Sequence, residues 1–143
     1  MSKSIFVSLP VADVARSTAL YEAIGFEKNA GLSNAQASAM TWSDTISVML
    51  LAKPLFSTLI PKPIADTHAT SGVLFALSFD SRAAVDAITE AAIAAGAKEA
   101  HGPEDEGFMY SRAFEDFDGH GWGPFWMDPK VAAGEQPVEH VDA

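Results

Sequence analysis

Asp116-Phe117-Asp118-Gly119-His120-Gly121-Trp122 closes the second copy of a pattern that this chain writes twice. Upstream of it, the apolar run Val73 to Phe79 leads into an amphipathic segment that ends at Gly96-Ala97. Near the start, Ile5 to Val11 leads into another that ends at Gly25-Phe26. A repeated strand–helix unit followed by turn-punctuated apolar segments predicts a sheet protein built from two similar halves.

The elements can be placed from local chemistry. Ile5-Phe6-Val7-Ser8-Leu9-Pro10-Val11 is rich in apolar and β-branched residues, and Pro10 suits a strand end or an edge position. Asp13 is positioned to cap a helix through Leu20 and Tyr21 to Ile24, with Gly25 supplying the left-handed residue that ends it. Gly31 to Ala35 reads as a turn, and Ala37 to Trp42 and Ile46 to Leu51 as two strands joined at Ser43-Asp44-Thr45. Pro54, Pro61 and Pro63 break the pattern between Ala52 and Gly72, around Leu55-Phe56 and Leu59-Ile60, where one or two helical turns fit. The second half then repeats the first. Val73 to Phe79 is a strand, Ser81 caps a helix carrying Val85, Ile88, Ala92 and Ala95, and Gly96 ends it. Gly102 to Gly107 reads as an acidic loop, Phe108 to Phe117 as a strand, and Trp122 to Met127 as the last strand.

Composition narrows the function classes. The 143 residues are 48% hydrophobic, enough for one well-cored domain and too few for two independent ones. A formal net charge of −10 repels phosphate backbones and anionic lipid, so nucleic acid and membrane are unexpected partners. Without cysteine there are no disulfides, thiolate metal sites or cysteine nucleophile. The first apolar run is broken at Ser8 and Pro10 and is too short for a signal core or a membrane span, so a cytoplasmic location is expected.

Leu9-Pro10-Val11-Ala12-Asp13 with Ser17 and Tyr21, then Gly25-Phe26, and finally Phe114-Glu115-Asp116-Phe117-Asp118-Gly119-His120 resemble the vicinal oxygen chelate superfamily of glyoxalase I, extradiol dioxygenases and bleomycin-resistance proteins. The resemblance runs from about Ile5 to Pro129. It implies an α+β fold in which two βαβββ modules curl a mixed sheet around a concave pocket, commonly completed by a homodimer. Module one is expected at about 4–52, a linker at 53–72 and module two at 73–129, followed by an acidic flexible tail, 130–143.

A divalent metal is that family's norm, but the positions corresponding to its ligands are Phe6, Leu74 and Gly123, and the stretch around Met49 to Leu51 offers no oxygen or imidazole donor. No metal or other cofactor is therefore expected. The four histidines, His68, His101, His120 and His140, show neither an i, i+4 pair nor a His-x-His spacing.

In a metal-free pocket the chemistry falls to polar and aromatic side chains. Tyr110 and Arg112 share one strand face and either recognise an anionic ligand group or form a cross-strand ion pair, for instance with the Glu104 to Glu106 run. Met40, Trp42, Trp122 and Trp126 either cage a flat or cationic ligand or pack in the core. Glu115 and His120 are the weak catalytic candidates. Glu115 and Asp116, as strand neighbours, point to opposite faces and cannot pair, and both read most simply as solvated acids, whereas His120 reads as a turn residue bonded to its own backbone.

Two functions follow. One is a binding protein that holds a small organic molecule. The other is a glyoxalase-like lyase or isomerase, or a dioxygenase, acting on a small carbonyl or thiol-conjugate substrate; the missing ligands favour the first.

Overall fold

A computed structural model of the chain describes residues 3–134. Strand β1 (Ile5–Val11) is followed by helix α1 (Val14–Ala23) and strands β2 (Glu27–Asn34), β3 (Ala37–Ser43) and β4 (Ile46–Ala52). A connector holding the short helix α2 (Lys53–Phe56) leads to β5 (Leu74–Phe79), α3 (Arg82–Ala94), β6 (Lys98–Asp105), β7 (Met109–Glu115), β8 (Gly121–Met127) and the short α4 (Pro129–Ala132). Among the described residues no helix is long and apolar enough to cross a membrane.

The two halves repeat in detail. Each forms a four-stranded mixed sheet, in the orders β1-β4-β3-β2 and β5-β8-β7-β6, with the first strand parallel to the last and at the edge. Asp13 accepts a hydrogen bond from the Arg16 amide and Ser81 from the Ala84 amide, so each helix begins on the expected cap. Each also ends on a glycine in the left-handed region, Gly25 at φ 106° and Gly96 at φ 109°. No strand pairing joins the two sheets among the described residues, so each module contributes its own four-stranded sheet.

Three expectations need correction. Gly31 to Asn34 belongs to β2, and the register slips between Asn29 and Asn34 as the strand passes Gly31. The acidic loop expected from Gly102 is strand as far as Asp105, with a register shift between His101 and Glu104 that takes up Gly102-Pro103. Both segments lie in outer strands, where proline and irregular pairing leave few buried backbone groups unpaired. The tail begins as an ordered turn, because Asp128 caps α4; the remainder of the tail expectation, with His140, lies outside the described residues.

One core spans both modules. Leu9, Val11 and Leu50 from the first sheet meet Leu77, Phe114 and Trp122 from the second, with Leu20, Ile88 and Ala92 of the two helices between them. Since strand side chains alternate, burying these residues turns the opposite face of each sheet outward. On those open faces Phe6 is 57% and Leu74 is 63% exposed.

Candidate functional site

The helix-covered faces hold most of the side chains that the sequence offered as ligand contacts. Met40 and Trp122 are fully buried core residues, and Trp122 lies 5.7 Å from Tyr21 and 5.8 Å from Phe26, centroid to centroid, in edge-on contact. Trp42 packs on Phe26 and, 6.0 Å away, on Phe79 of the other module. Trp126 sits beneath the Arg82 guanidinium, 4.4 Å from the indole centroid. These four residues build the joint between modules and the flank of α3. They do not form a cage, because all four fall on the strand parity that faces the helices.

Tyr110 and Arg112 are turned the same way. Arg112, with a side chain only 8% exposed, meets Asp86 at 3.2 Å and Glu90 at 2.7 Å on α3, and Glu99 at 2.6 Å on β6. The Tyr110 hydroxyl donates to Asp86 at 2.6 Å. Burial on its own would weaken the guanidinium's hold on its proton, but the hydrogen bonds to Glu99, Glu90 and Asp86 outweigh it and leave the pKa higher than usual. The bond to Asp86, with some desolvation, raises the Tyr110 pKa too. With three carboxylates already in place, this guanidinium is an ion-pair centre and not an anion receptor; the partners are Asp86, Glu90 and Glu99 instead of the Glu104 to Glu106 run.

A second polar cluster fastens the modules together around the Asp-Gly turn. Tyr21 of α1 donates to Asp116 Oδ2 at 2.6 Å and accepts from Trp122 Nε1 at 3.0 Å. Asp116 Oδ1 receives the amides of Asp118 and His120, each at 2.9 Å. Asp118 in turn accepts the Ala12 amide at 2.8 Å, and the His120 ring Nε2 meets the Pro10 carbonyl at 2.8 Å. Asp116 is thus buried rather than solvated. Desolvation pushes its pKa up, against the lowering effect of His120, of the Tyr21 bond and of the backbone donors. Burial, followed by the Asp116 charge, likewise lifts Tyr21 well above the ordinary tyrosine value. His120, in the turn before β8, ties that turn to β1 of the other module, so its ring Nε2 is already engaged.

The open face of the second sheet carries the cavity. Met109, Ser111, Ala113 and Glu115 of β7 alternate with the buried set and face the same side as Gly123 and Leu74. Two lobes of about 330 and 370 Å³ lie on this face and share Leu74, His101 and Ala113, so they form one groove. One lobe is walled by the connector and contains His68, Thr70 and Ser71 as well as Glu115. The other is lined by Met109, Phe125 and Met127, and touches Glu104 at its edge. Arg112 borders it on the side of its backbone, whose carbonyl is 3.8 Å from where a Cβ at Gly123 would stand. An apolar trough with a few polar groups converging at one end is the usual form of a small-molecule site.

Of the sequence candidates, only Glu115 lies on this groove by its side-chain parity. The residues that sequence reasoning missed are His68 and His101. Their signal was weak because 33 positions separate them and the connector brings them together only by folding back over β5.

No family sequence model matches the chain, and no curated protein sequence is significantly similar to it. Solved structures do match. A glyoxalase/bleomycin resistance protein/dioxygenase family enzyme from Burkholderia phytofirmans superposes with a TM-score of 0.71 at 19% identity, covering 88% of this chain and 99% of that one. A glyoxalase-related enzyme from Fulvimarina pelagi gives 0.75 at 14% identity, with 88% of each chain covered. The fosfomycin resistance protein FosX from Mesorhizobium loti gives 0.67 at 16% identity, over 93% of this chain and 98% of its own. The chain has the vicinal oxygen chelate fold. The expected α+β architecture of two βαβββ modules is therefore the observed one.

That fold family commonly holds a divalent metal, and the side chains at the corresponding positions of this chain do not fit one. Phe6 and Leu74 project exposed hydrocarbon from the open faces, Met49 of β4 has only a thioether, and Gly123 has no side chain. Among the described residues, no cluster of three or more His, Asp or Glu side chains is arranged to hold a metal ion.

Proposed function

We propose that this vicinal oxygen chelate protein binds a small organic molecule in the groove on the open face of its second sheet, without a metal. The observation that carries this reading is the groove itself: an apolar trough of Leu74, Met109, Phe125 and Met127 with His68 and Glu115 toward one end and His101 where the two lobes meet. Hydrocarbon surface supplies contact area and the polar end fixes orientation. Gly123 leaves space in the middle, since a Cβ there meets nothing closer than 3.7 Å.

A cytoplasmic homodimer is part of the same proposal. The location rests on the sequence reading alone. The dimer is supported by the free outer edges that β1 and β5 present among the described residues, with Ile5, Phe6, Val73 and Leu74 all more than half exposed beside them. A second copy laid across these edges would cover that surface and roof the groove.

A thermal-shift panel of small aromatic acids and thiol conjugates tests the binding reading, because a ligand that prefers the native state raises the melting temperature. Gly123→Trp, which fills the trough, is expected to abolish any shift seen with the wild-type chain. Shifts that survive this substitution, or a broad panel with none, would defeat the reading. Light scattering tests the dimer, with Leu74→Glu expected to yield monomers.

The position of Glu115 favours one alternative. Its carboxyl shares a lobe with two imidazoles, an arrangement able to take a proton from a carbon beside a carbonyl and return it to the neighbouring carbon. With Arg112 and Tyr110 facing away, and His101 Nδ1 held by the Gly102 carbonyl at 2.7 Å, the enolate oxygen would rely on His68 as donor. Solvent-deuterium incorporation into a hemithioacetal, lost in Glu115→Gln, is the result that would favour catalysis over binding.

A further inference from the structure

A second cavity, of about 310 Å³, lies on the other side of the connector, against β1. Ser8 and Pro10 of β1 form one wall, and Phe56, Ile60 and Ile64 of the connector form the other. The last three recur every fourth residue, and Ile60 remains 49% exposed, an apolar side chain only partly covered by protein. His120 borders the cavity, but its Nε2 is already held by the Pro10 carbonyl. The groove and this cavity meet at Thr67 and Val73, and the rest of the cavity's lining comes from β1, the connector and His120 and not from β7 or β8.

Its one charged lining residue is Lys62. Among the described residues no Asp or Glu side chain lines the cavity and Lys62 makes no ion pair. In a chain of net charge −10, an unpaired ammonium beside an otherwise uncharged cavity is a local exception to the surrounding field. At roughly 30 Å³ for each water-sized unit, the volume accommodates on the order of ten heavy atoms. We propose that this cavity binds a medium-length aliphatic monocarboxylate, its hydrocarbon against Phe56, Ile60 and Ile64 and its carboxylate at Lys62.

The test is an amide NMR titration of the full chain with octanoate, octanol and octylammonium. Octanoate is expected to cause saturable shifts at Ser8, Ile64 and Gly72 while the Ala76 and Gly123 amides stay in place. Octylammonium should cause none, and octanol should bind more weakly than octanoate. Lys62 is solvent-exposed, so Lys62→Glu should fold normally and weaken octanoate about fivefold or more, with Lys62→Gln intermediate. The proposal is overturned if octanoate gives no saturable shift, if the shifts centre on Gly123, or if Lys62→Glu leaves the affinity for octanoate unchanged.

Discussion

Tyr21 of the first module donates its hydroxyl proton to Asp116 of the second across 2.6 Å of fully buried space, and the same oxygen receives Trp122 Nε1 at 3.0 Å. Removing the hydroxyl strips one acceptor from the indole and one donor from the carboxyl. Tyr21→Phe is therefore expected to cost about 1–3 kcal/mol, the range for leaving a buried polar group unpaired. Urea denaturation measures it, and a cost near zero would show that the bond contributes nothing net.

Asp116 gives a pH dependence with a definite sign. Its folded pKa is raised, chiefly by desolvation, so the folded state holds the proton more tightly than the unfolded chain does. Its contribution to stability is fully present below the unfolded value, about 3.9, and is lost as pH rises through the higher folded value. Asp116→Asn carries no titrating proton and should lack this component. Plotted against pH, the stability of wild type minus that of Asp116→Asn should fall above about pH 4 and then level off. A difference that instead grows with pH would mean that the carboxylate is favoured by its donors over its burial.

Gly119 has φ 84°, and a Cβ added there would overlap the backbone carbonyl of Thr67 in the connector. Backbone cannot swing aside as a side chain can, and the left-handed conformation itself disfavours alanine by about 1–2 kcal/mol. Gly119→Ala should therefore lower the melting temperature and speed amide exchange at His68 as the connector lifts. By contrast, Gly123→Ala meets Leu74 only at an ordinary 3.7 Å and should be nearly silent in both measurements.

Replacing Arg112 with Met keeps much of the bulk and removes the charge that Asp86, Glu90 and Glu99 share. Those carboxylates are 37–64% exposed, so solvent screens part of their repulsion, and the expected loss is about 1–3 kcal/mol, below that for a fully buried pair. Ligand-induced thermal shifts should persist in Arg112→Met, because the guanidinium faces α3 and not the groove.

The metal prediction is equally direct. Equilibration with zinc, nickel or manganese followed by dialysis should leave far less than one equivalent per chain by elemental analysis. Retention of a full equivalent would mean that donors from positions other than 6, 49, 74 and 123 gather on the open faces.

The fold was legible because its signals are local and repeated: Asp13 and Ser81 as caps, Gly25 and Gly96 as left-handed stops, and alternation along each strand. The site was less so. Parity puts Tyr110 and Arg112 on one face of β7, but it cannot say which parity a helix will cover. That choice depended on Asp86 and Glu90, which align with Arg112 only once α3 docks. His68 and His101 gave no pattern at all, since their proximity is made by the connector's path. Gly102-Pro103 read as loop because both residues disfavour regular pairing, and an outer strand tolerates them.

In the second sheet the strand parity that carries the core is also the one that contacts the helices, and most of the opposite parity is left partly or fully exposed. Residues such as Ser111 and Gly123 can therefore be exchanged with small effect on folding, so long as they do not obstruct their neighbours. A scaffold divided this way can change what it recognises through single replacements on its outward surfaces while its melting behaviour stays nearly constant.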